Sequence, residues 1–267
     1  MTDARLSGVK VLITGAASGI GAACARRLAA DGAEVLLADL NGQGAQQVAD
    51  ELGQAATAVG VDVTRTSDIE RMLDAAYGRW GRLDVVFNNA GIAQARPMLE
   101  LTEADWDRMQ AVNLKAVFFV LQAAAKRMRR QEPMAGSELR GKLIQTASIA
   151  AFRGGQPYLA HYSATKAAVV SITRTAAQVL APDKITSNCI CPGVVQTPLW
   201  QRLDADIAEI EGLEVGEAWR RRVSGIPLGR PEQAADLAGL VAFLASRDTD
   251  YMTGQALVLD GGLVMGG

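Results

Sequence analysis

The chain contains 267 residues, of which 49% are hydrophobic and 21% are charged, and its net charge at pH 7 is −2. This composition lies within the ordinary range of globular proteins and excludes intrinsic disorder. Because nucleic-acid affinity depends on clustered basic side chains, and 27 Lys and Arg are balanced here by 29 Asp and Glu, we expect no nucleic-acid partner.

Seven short runs rich in β-branched residues and leucine alternate with helix-length segments along the chain. Because these runs are continuously apolar and are separated by long crossovers, the strands should pair in parallel and be buried on both faces. The pattern predicts an α/β fold with a Rossmann-type, doubly wound, mostly parallel seven-stranded sheet and helices on both faces. The predicted strands are Val9–Thr14, Glu34–Asp39, Ala56–Asp62, Asp84–Asn88, Lys142–Ala147, Lys184–Cys191 and Ala256–Asp260.

No linker rich in Pro, Gly or Ser divides the chain, so we predict a single domain spanning residues 1–267. Two segments are longer than minimal connections. Lys126–Lys142 is polar and predicts a surface loop, whereas Thr197–Leu228 carries apolar residues at helical spacing. Since long connections in compact domains are often functional, we predict that residues 197–228 form a lid over the substrate.

The first predicted strand is followed by a glycine-rich turn, in which Gly15, Gly19 and Gly21 form the pattern Gly-x-x-x-Gly-x-Gly. Glycine tolerates positive φ and lacks the Cβ that would block a pyrophosphate, while the start of the next helix offers unpaired N–H groups. A tight strand-to-helix connection would also use glycines, but the position at the first βα turn favours a dinucleotide site. Ser18 and Ile20 lie within the turn and are predicted to bind the cofactor with it.

Asp39 ends the second predicted strand, 18 residues after Gly21. A carboxylate at this position accepts hydrogen bonds from the adenosine ribose and would repel a 2′-phosphate. The next residues, Leu40 and Asn41, carry no positive charge that would neutralise such a phosphate. We therefore predict NAD rather than NADP as the cofactor. The alternative role for Asp39 is to cap the following helix.

Tyr162 and Lys166 lie four residues apart in a segment of helical character, so they share one helix face. An ammonium beside a phenol favours the phenolate, and lowering a tyrosine pKa from about 10 towards 7 requires roughly 4 kcal/mol. A tyrosine tuned in this way serves as a general base near neutral pH without a histidine. A Tyr-x-x-x-Lys pair on its own, however, is also common on exposed helix surfaces.

The scarcest residues limit the chemistry further, because the chain has one histidine, His161, and three cysteines, Cys24, Cys189 and Cys191. A zinc site needs more His and Cys ligands than these provide together, so we expect no metal. An odd number of cysteines is a poor disulfide framework, and we expect buried thiols in a cytoplasmic protein. No apolar run approaches the roughly 20 residues that span a bilayer, so we expect no membrane association.

Taken together, these motifs resemble those of the short-chain dehydrogenase/reductase family over essentially the whole chain. The resemblance implies a catalytic tetrad of Asn113, Ser148, Tyr162 and Lys166. It also implies that Tyr162 and Lys166 contact the nicotinamide cofactor. The further cofactor-binding residues that it implies are Leu40, Asp62, Val63, Asn89, Ala90, Gly91, Pro192, Gly193, Val195 and Thr197.

The resemblance also assigns roles to the tetrad. Tyr162 exchanges a proton with the substrate oxygen, and Ser148 hydrogen-bonds the same oxygen. Lys166 lowers the pKa of Tyr162 and binds the nicotinamide ribose, while Asn113 holds a water that links Lys166 to solvent. The cofactor itself carries the redox step.

One departure from the family pattern lies before the predicted catalytic tyrosine. Ser148 and Tyr162 are 14 positions apart, where 13 is more usual in the family, so we expect a bulge in the Ala150–Tyr158 loop. His161, next to Tyr162, is predicted to have a packing or loop-tethering role rather than a role in proton transfer.

Within the family, the segments Pro192–Trp200, Leu228–Glu232 and Asp250–Gln255 are similar to those of sorbitol- and galactitol-type polyol dehydrogenases and of acetoin or butanediol dehydrogenases. Acidic residues outnumber Arg202 across residues 197–217, which favours a small neutral alcohol or ketone, although a solvated acidic helix face would show the same balance. The predicted substrate contacts are Ser148, Ala150, Gln156, Tyr162, Val194 and Trp200.

We therefore predict oxidation of a secondary alcohol of a small polyol or vicinal diol. The alternatives are reduction of an acetoin-type ketone, reduction of a 3-oxoacyl substrate, and a cofactor-binding regulator without catalysis. A broken tetrad would favour the regulator, and here all four positions are filled. The apolar helices predicted within Asp105–Met128 and Ala164–Ala181 favour a homotetramer, with a dimer as the second possibility.

Overall fold

The structure, a computed structural model, describes residues 5–153 and 156–265. Within these ranges seven strands form, and every predicted strand is present with boundaries no more than two residues from the prediction. The strands are β1 (Lys10–Thr14), β2 (Glu34–Asp39), β3 (Ala56–Gly60), β4 (Val85–Asn88), β5 (Gly141–Thr146), β6 (Ile185–Pro192) and β7 (Ala256–Leu259).

The strands form one sheet in the order β3-β2-β1-β4-β5-β6-β7, and every adjacent pair is parallel. The predicted doubly wound sheet is confirmed. The chain moves outward from β1 to β3 and then returns to place β4 on the other side of β1, so the winding direction reverses between these two strands. Thr14 at the end of β1 is in register with Asn88 at the end of β4, and Asn88 with Gln145 of β5. Ligands of open α/β sheets bind at such a reversal.

Helices cover both faces of the sheet. Apolar side chains of α1, α2 and α9 form one buried cluster with the inner strands, and those of α3, α5 and α6 form the second. The helices in the described part of the chain are α1 (Gly19–Ala30), α2 (Gly42–Leu52), α3 (Thr66–Trp80), α4 (Glu103–Gln110), α5 (Val117–Met128), α6 (Ala160–Leu180), α7 (Pro198–Glu211), α8 (Glu217–Ser224) and α9 (Ala234–Ala245). None of these combines the length and the apolarity of a membrane span.

Helices α4 and α5 are joined by a π-helical segment, Ala111–Ala116. Insertions of this kind occur frequently at functional sites. This one carries Asn113, whose side chain is fully buried.

The segment predicted to form a lid contains α7 and α8. The buried carboxylate of Asp204 in α7 accepts hydrogen bonds from the backbone N–H groups of Gly216 and Trp219, and so joins the two helices. Leu203 and Ile207 of α7 pack in one buried cluster with Leu159, which precedes α6. The helix pair is therefore docked beside the start of α6.

Candidate active site

A cleft of about 620 Å³ lies at the carboxyl ends of the central strands, where the winding of the sheet reverses. Most residues predicted to bind the cofactor or the substrate line this cleft. They are Gly15, Ser18, Gly19, Ile20, Asp39, Leu40, Asp62, Val63, Asn89, Ala90, Gly91, Ser148, Tyr162, Lys166, Pro192, Gly193, Val195, Thr197 and Trp200.

The glycine turn leaves the start of α1 open to the cleft. Gly15 and Gly19 have φ of +67° and +56°, values that side chains rarely tolerate. Gly21 lies behind the turn, where a Cβ would approach the carbonyl oxygen of Gly15 to 2.1 Å. No acidic residue occurs in the first turn of α1. The residues present therefore fit a pyrophosphate, because backbone N–H groups face the cleft without side chains or negative charge in the way.

Asp39 is held at the end of β2 by two backbone donors. One carboxylate oxygen accepts from the N–H of Ala17 at 2.9 Å, and the other accepts from the N–H of Asn41 at 2.8 Å. The cap of α2 is Asn41, whose side chain accepts from the N–H of Gly44 at 3.0 Å. The alternative role of Asp39 as the helix cap is therefore not observed, and the carboxylate lies at the rim of the cleft.

Asn89 connects the glycine turn to the neighbouring strands. Its amide nitrogen donates to the carbonyl oxygens of Thr14 and Gly15 at 3.2 and 3.1 Å, and its amide oxygen accepts from the hydroxyl of Thr146 at 3.2 Å. The hydroxyl of Thr14 in turn accepts from the N–H groups of Asn89 and Ala90, both at 3.0 Å. The ends of β1, β4 and β5 are thereby fixed relative to one another.

At the other end of the cleft, Ser148 and Tyr162 are brought together by β5 and α6. The Ser148 hydroxyl accepts from the N–H of Ala150 at 3.1 Å. Burial raises the pKa of the Tyr162 phenol above its ordinary value, and a hydrogen bond with Ser148 lowers it by a smaller amount. The Tyr162 hydroxyl is therefore a protonated hydrogen-bonding group at neutral pH in the protein alone.

Lys166 lies one helical turn beyond Tyr162 and is also buried. Its Nζ donates to the carbonyl oxygen of Thr146 at 2.7 Å and lies 5.6 Å from the centre of the Tyr162 ring. Burial lowers the pKa of Lys166 to about 8. The pKa of Tyr162 is thus raised in the protein alone, and the predicted lowering of that pKa by Lys166 together with a nicotinamide charge stays a prediction.

Asn113 does not line the cleft but lies directly behind it. Its side-chain amide donates to the carbonyl oxygen of Ile92 at 2.8 Å and accepts from the Ile92 N–H at 2.9 Å. A Cβ on Gly91 would lie 3.4 Å from the Asn113 amide oxygen and 3.7 Å from the Lys166 Nζ. The π segment thus brings Asn113 next to the backbone that borders Lys166.

Three predicted substrate contacts, Ala150, Val194 and Gln156, do not line the cleft. The amide oxygen of Gln156 accepts from the guanidinium of Arg222 in α8 at 2.7 Å, so the residue predicted to meet a substrate hydroxyl instead connects its loop to the helix pair. Trp200 does line the cleft and packs edge-to-face on Trp219, with 5.7 Å between the ring centres.

Several cleft residues were not predicted from the sequence. Most of them could have been identified from the sequence, because they lie next to predicted motif residues in the chain. These residues are Ala17, Asn41, Val61, Thr64, Ile92, Val112, Thr146, Ala147, Pro198, Leu199 and Arg202.

The three cysteines are buried free thiols, as predicted. Cys189 and Cys191 lie side by side on β6, in a cluster with Ala147 and Val169. Across residues 5–153 and 156–265, no group of three His, Cys, Asp or Glu side chains is arranged to hold a metal ion.

His161 faces away from the cleft towards α4. The ring is fully buried, and neither nitrogen has a hydrogen-bond partner among the described residues. Burial lowers the pKa of His161, while the charges of Asp105 and Arg108 on α4 act in opposite directions. The ring is therefore neutral at pH 7 and serves to pack α6 against α4.

Comparison with known proteins gives full-length matches. A family model described as enoyl-(acyl carrier protein) reductase matches residues 15–264. The L-2,3-butanediol dehydrogenase of Corynebacterium glutamicum is 42% identical over 258 residues, covering 95% of this chain and 97% of that protein. The sorbitol dehydrogenase of Cereibacter sphaeroides is 40% identical over 258 residues, covering 97% and 98%. Among solved structures, the 3-ketoacyl-(acyl-carrier-protein) reductase from Brucella melitensis complexed with NADH aligns with a TM-score of 0.86 and 34% identity, covering 97% and 99%.

Replacement of His161 by Phe tests the state of the buried ring. Because the pKa of His161 is lowered in the folded protein, the unfolded chain takes up a proton first as the pH falls below about 6.5. The histidine therefore opposes folding increasingly in acid, at up to about 1.4 kcal/mol per pH unit. We expect urea unfolding between pH 7 and 5 to show wild type losing stability relative to His161→Phe.

A difference between the two pH profiles can be assigned to His161, because it is the one histidine of the chain and both proteins have the same carboxylates. Parallel pH profiles for the two proteins would contradict a neutral, desolvated His161.

Proposed function

The chain belongs to the short-chain dehydrogenase/reductase family, and we propose that it is an NAD-dependent oxidoreductase. Its substrate in this proposal is a secondary alcohol of a small polyol or vicinal diol, which is oxidised to the ketone. The observation that supports this most strongly is the position of Ser148, Tyr162 and Lys166 at one end of a cleft whose other end carries Asp39.

The chain's own residues would move the proton. As the phenolate, with its own proton released to solvent, Tyr162 takes the proton from the substrate hydroxyl, while Ser148 holds the same substrate oxygen in place. Bound nicotinamide would supply the hydride acceptor and, when oxidised, a positive charge near the phenol. Lys166, with a pKa of about 8, is mostly charged at pH 7 and adds to that positive potential. Asn113 would support this group from behind through Ile92.

The preference for NAD rests on Asp39. Because two backbone N–H groups already fix its carboxylate, the side chain is oriented before any cofactor arrives. The neighbouring Leu40 is 78% exposed and offers no charge to a 2′-phosphate. A negative group in this position accepts ribose hydroxyls and repels the additional phosphate of NADP.

The substrate class is supported by the relatives and by the cleft. The two relatives described above are named for a vicinal diol and for a polyol. Apolar Leu199 and Trp200, which pack in one cluster with Tyr162, line the cleft together with Arg202. The same site run in the opposite direction would reduce an acetoin-type ketone. The 3-ketoacyl specificity in the name of the structural neighbour keeps a 3-oxoacyl substrate as a further candidate.

We further propose a homotetramer, with a dimer as the alternative. Trp106, Phe118 and Val179 are exposed on α4, α5 and α6, and exposed large apolar side chains are typical of association surfaces. An open groove of about 360 Å³ also lies along α6, between residues 151–152 and 167–178. The buried, free thiols agree with a cytoplasmic location.

Replacement of Tyr162 by Phe tests the proposed chemistry. The variant keeps the ring but lacks the hydroxyl that exchanges the proton, so oxidation of 2,3-butanediol or sorbitol with NAD should fall by about 10²- to 10⁴-fold. NADH affinity, followed by fluorescence, should change by less than about threefold. Tyr251→Phe is the matched control, because Tyr251 is fully exposed and its loss should leave both quantities unchanged. Oxidation at the wild-type rate in Tyr162→Phe would rule out the general-base role.

Replacement of Asp39 by Asn tests the cofactor assignment. Hydrogen bonds to a charged acceptor contribute about 1.5–3 kcal/mol, so the KM for NAD should rise by about 10- to 100-fold. The KM for NADP should fall, because the repulsion of the 2′-phosphate is removed. Steady-state assays with both cofactors measure the ratio. Equal rates with NAD and NADP in the wild-type protein would contradict the role given to Asp39.

Light scattering on the purified protein tests the association. A homotetramer should give a mass of about four times the 28.2 kDa of one chain, and a dimer about twice that value. A mass of 28.2 kDa at micromolar concentration would refute both.

A further inference from the structure

One wall of the cleft is hydrogen-bonded to Glu232, a residue that does not itself line the cleft. The wall is formed by residues 192–197, which follow β6 and contribute Pro192, Gly193, Val195 and Thr197 to the cleft. Glu232 holds this segment through three hydrogen bonds. Its carboxyl oxygen accepts from the N–H of Gly193 at 2.9 Å, and that N–H is shared with the Leu259 carbonyl at 3.1 Å. The N–H of Glu232 donates to the Val194 carbonyl at 2.9 Å, and its carbonyl accepts from the N–H of Gln196 at 2.8 Å.

The opposite side of Gly193 is equally restricted. A Cβ on Gly193 would lie 2.7 Å from the Cβ of Asp260, so the backbone passes close to Asp260 with no space for a side chain. The two Asp260 oxygens accept from the N–H groups of Gly262 and Val264 at 2.8 and 2.7 Å. Asp260 is therefore fixed in place on one side of Gly193, and the Glu232 side chain contacts Gly193 from the other side.

Glu232 is only 7% exposed, and its second carboxyl oxygen has no hydrogen-bond partner among the described residues. The charged groups around it are Asp236, Asp260 and Arg230. Arg230 is already paired with Asp236 through contacts of 2.6 and 3.0 Å. An ionised Glu232 would thus be a buried charge with one N–H donor and no free counter-ion, which is costly.

We infer that Glu232 is a positioning residue whose carboxyl group sets the wall of the cleft next to the nicotinamide ring. This inference rests on the proposed nicotinamide cofactor. Glu232 contacts neither cofactor nor substrate in this assignment, and acts through the backbone of Gly193 and its neighbours. The wall adjoins the reacting end of the cleft, because Ala147, just before Ser148, donates its N–H to the carbonyl of Ile190 on β6 at 2.8 Å.

The wall should also respond to pH. Burial raises the pKa of Glu232 to about 8, so the side chain is an uncharged acid at neutral pH and ionises as the pH rises through that value. Ionisation places a charge beside the two aspartates and would draw water towards the orphaned oxygen. We therefore expect the wall to loosen in alkali and the affinity for a nicotinamide dinucleotide to fall.

The test compares Glu232→Gln and Glu232→Ala with wild type, using fluorescence titration with NADH from pH 6.5 to 9.5. Gln keeps the acceptor for Gly193 and has no charge, so its dissociation constant should lie within twofold of wild type at pH 7. At pH 9.5 wild type should bind at least fivefold more weakly than Glu232→Gln. Lys166 titrates in the same pH range, but it does so in both proteins, so its effect cancels when the dissociation constant of wild type is divided by that of Glu232→Gln.

Glu232→Ala should bind NADH at least fivefold more weakly at pH 7, and bind ADP-ribose, which lacks the nicotinamide, within twofold of wild type. Glu132→Gln is the control for loss of an exposed carboxylate outside the cleft and should leave NADH affinity unchanged. The inference is overturned if Glu232→Ala binds NADH like wild type, or if Glu232→Gln binds NADH as weakly as Glu232→Ala at pH 7. It is also overturned if the ratio of the wild-type dissociation constant to that of Glu232→Gln does not change with pH. Failure of wild type itself to bind NADH or NADPH would instead refute the proposed function.

Discussion

The close approach of Gly21 to the carbonyl oxygen of Gly15 is the constraint on which the site depends. Because a Cβ would lie 2.1 Å from that oxygen, only glycine allows α1 to begin so near the end of β1. Asn89 then fixes the turn to β4 and, through Thr146, to β5. The carbonyl oxygen of Thr146 also accepts a hydrogen bond from the Lys166 ammonium. The glycine turn and the proposed catalytic residues are therefore parts of one hydrogen-bonded framework.

Loss of water is the second property that unites the site. Burial raises the pKa of Tyr162 and of Glu232 and lowers that of Lys166, so all three groups are shifted towards their uncharged forms. Apart from Lys166, these groups therefore contribute little charge to the cleft at pH 7. A cationic nicotinamide would therefore act on the phenol with weak screening, which is how a single tyrosine could serve a protein whose one histidine is buried elsewhere.

The sequence was sufficient to predict the parallel sheet, because continuous apolar strands and helix-length crossovers leave few other arrangements. It also located the residues from Gly15 to Asp39, whose roles follow from local geometry. The sequence did not reveal the hydrogen bond from Arg222 to Gln156 or the one from Gly193 to Glu232, because these contacts join positions 66 and 39 residues apart. The sequence also could not show how far Tyr162 and Lys166 are removed from water, because spacing does not report burial.

In the proposed reaction, hydrogen passes directly from the substrate carbon to the cofactor. This transfer is tested by incubating the protein with NAD and 2,3-butanediol deuterated at its carbinol carbons, followed by mass spectrometry of the reduced cofactor. We expect NADH that carries deuterium from the alcohol and does not lose it to water. Reduced cofactor without the label, formed at the same rate, would contradict it.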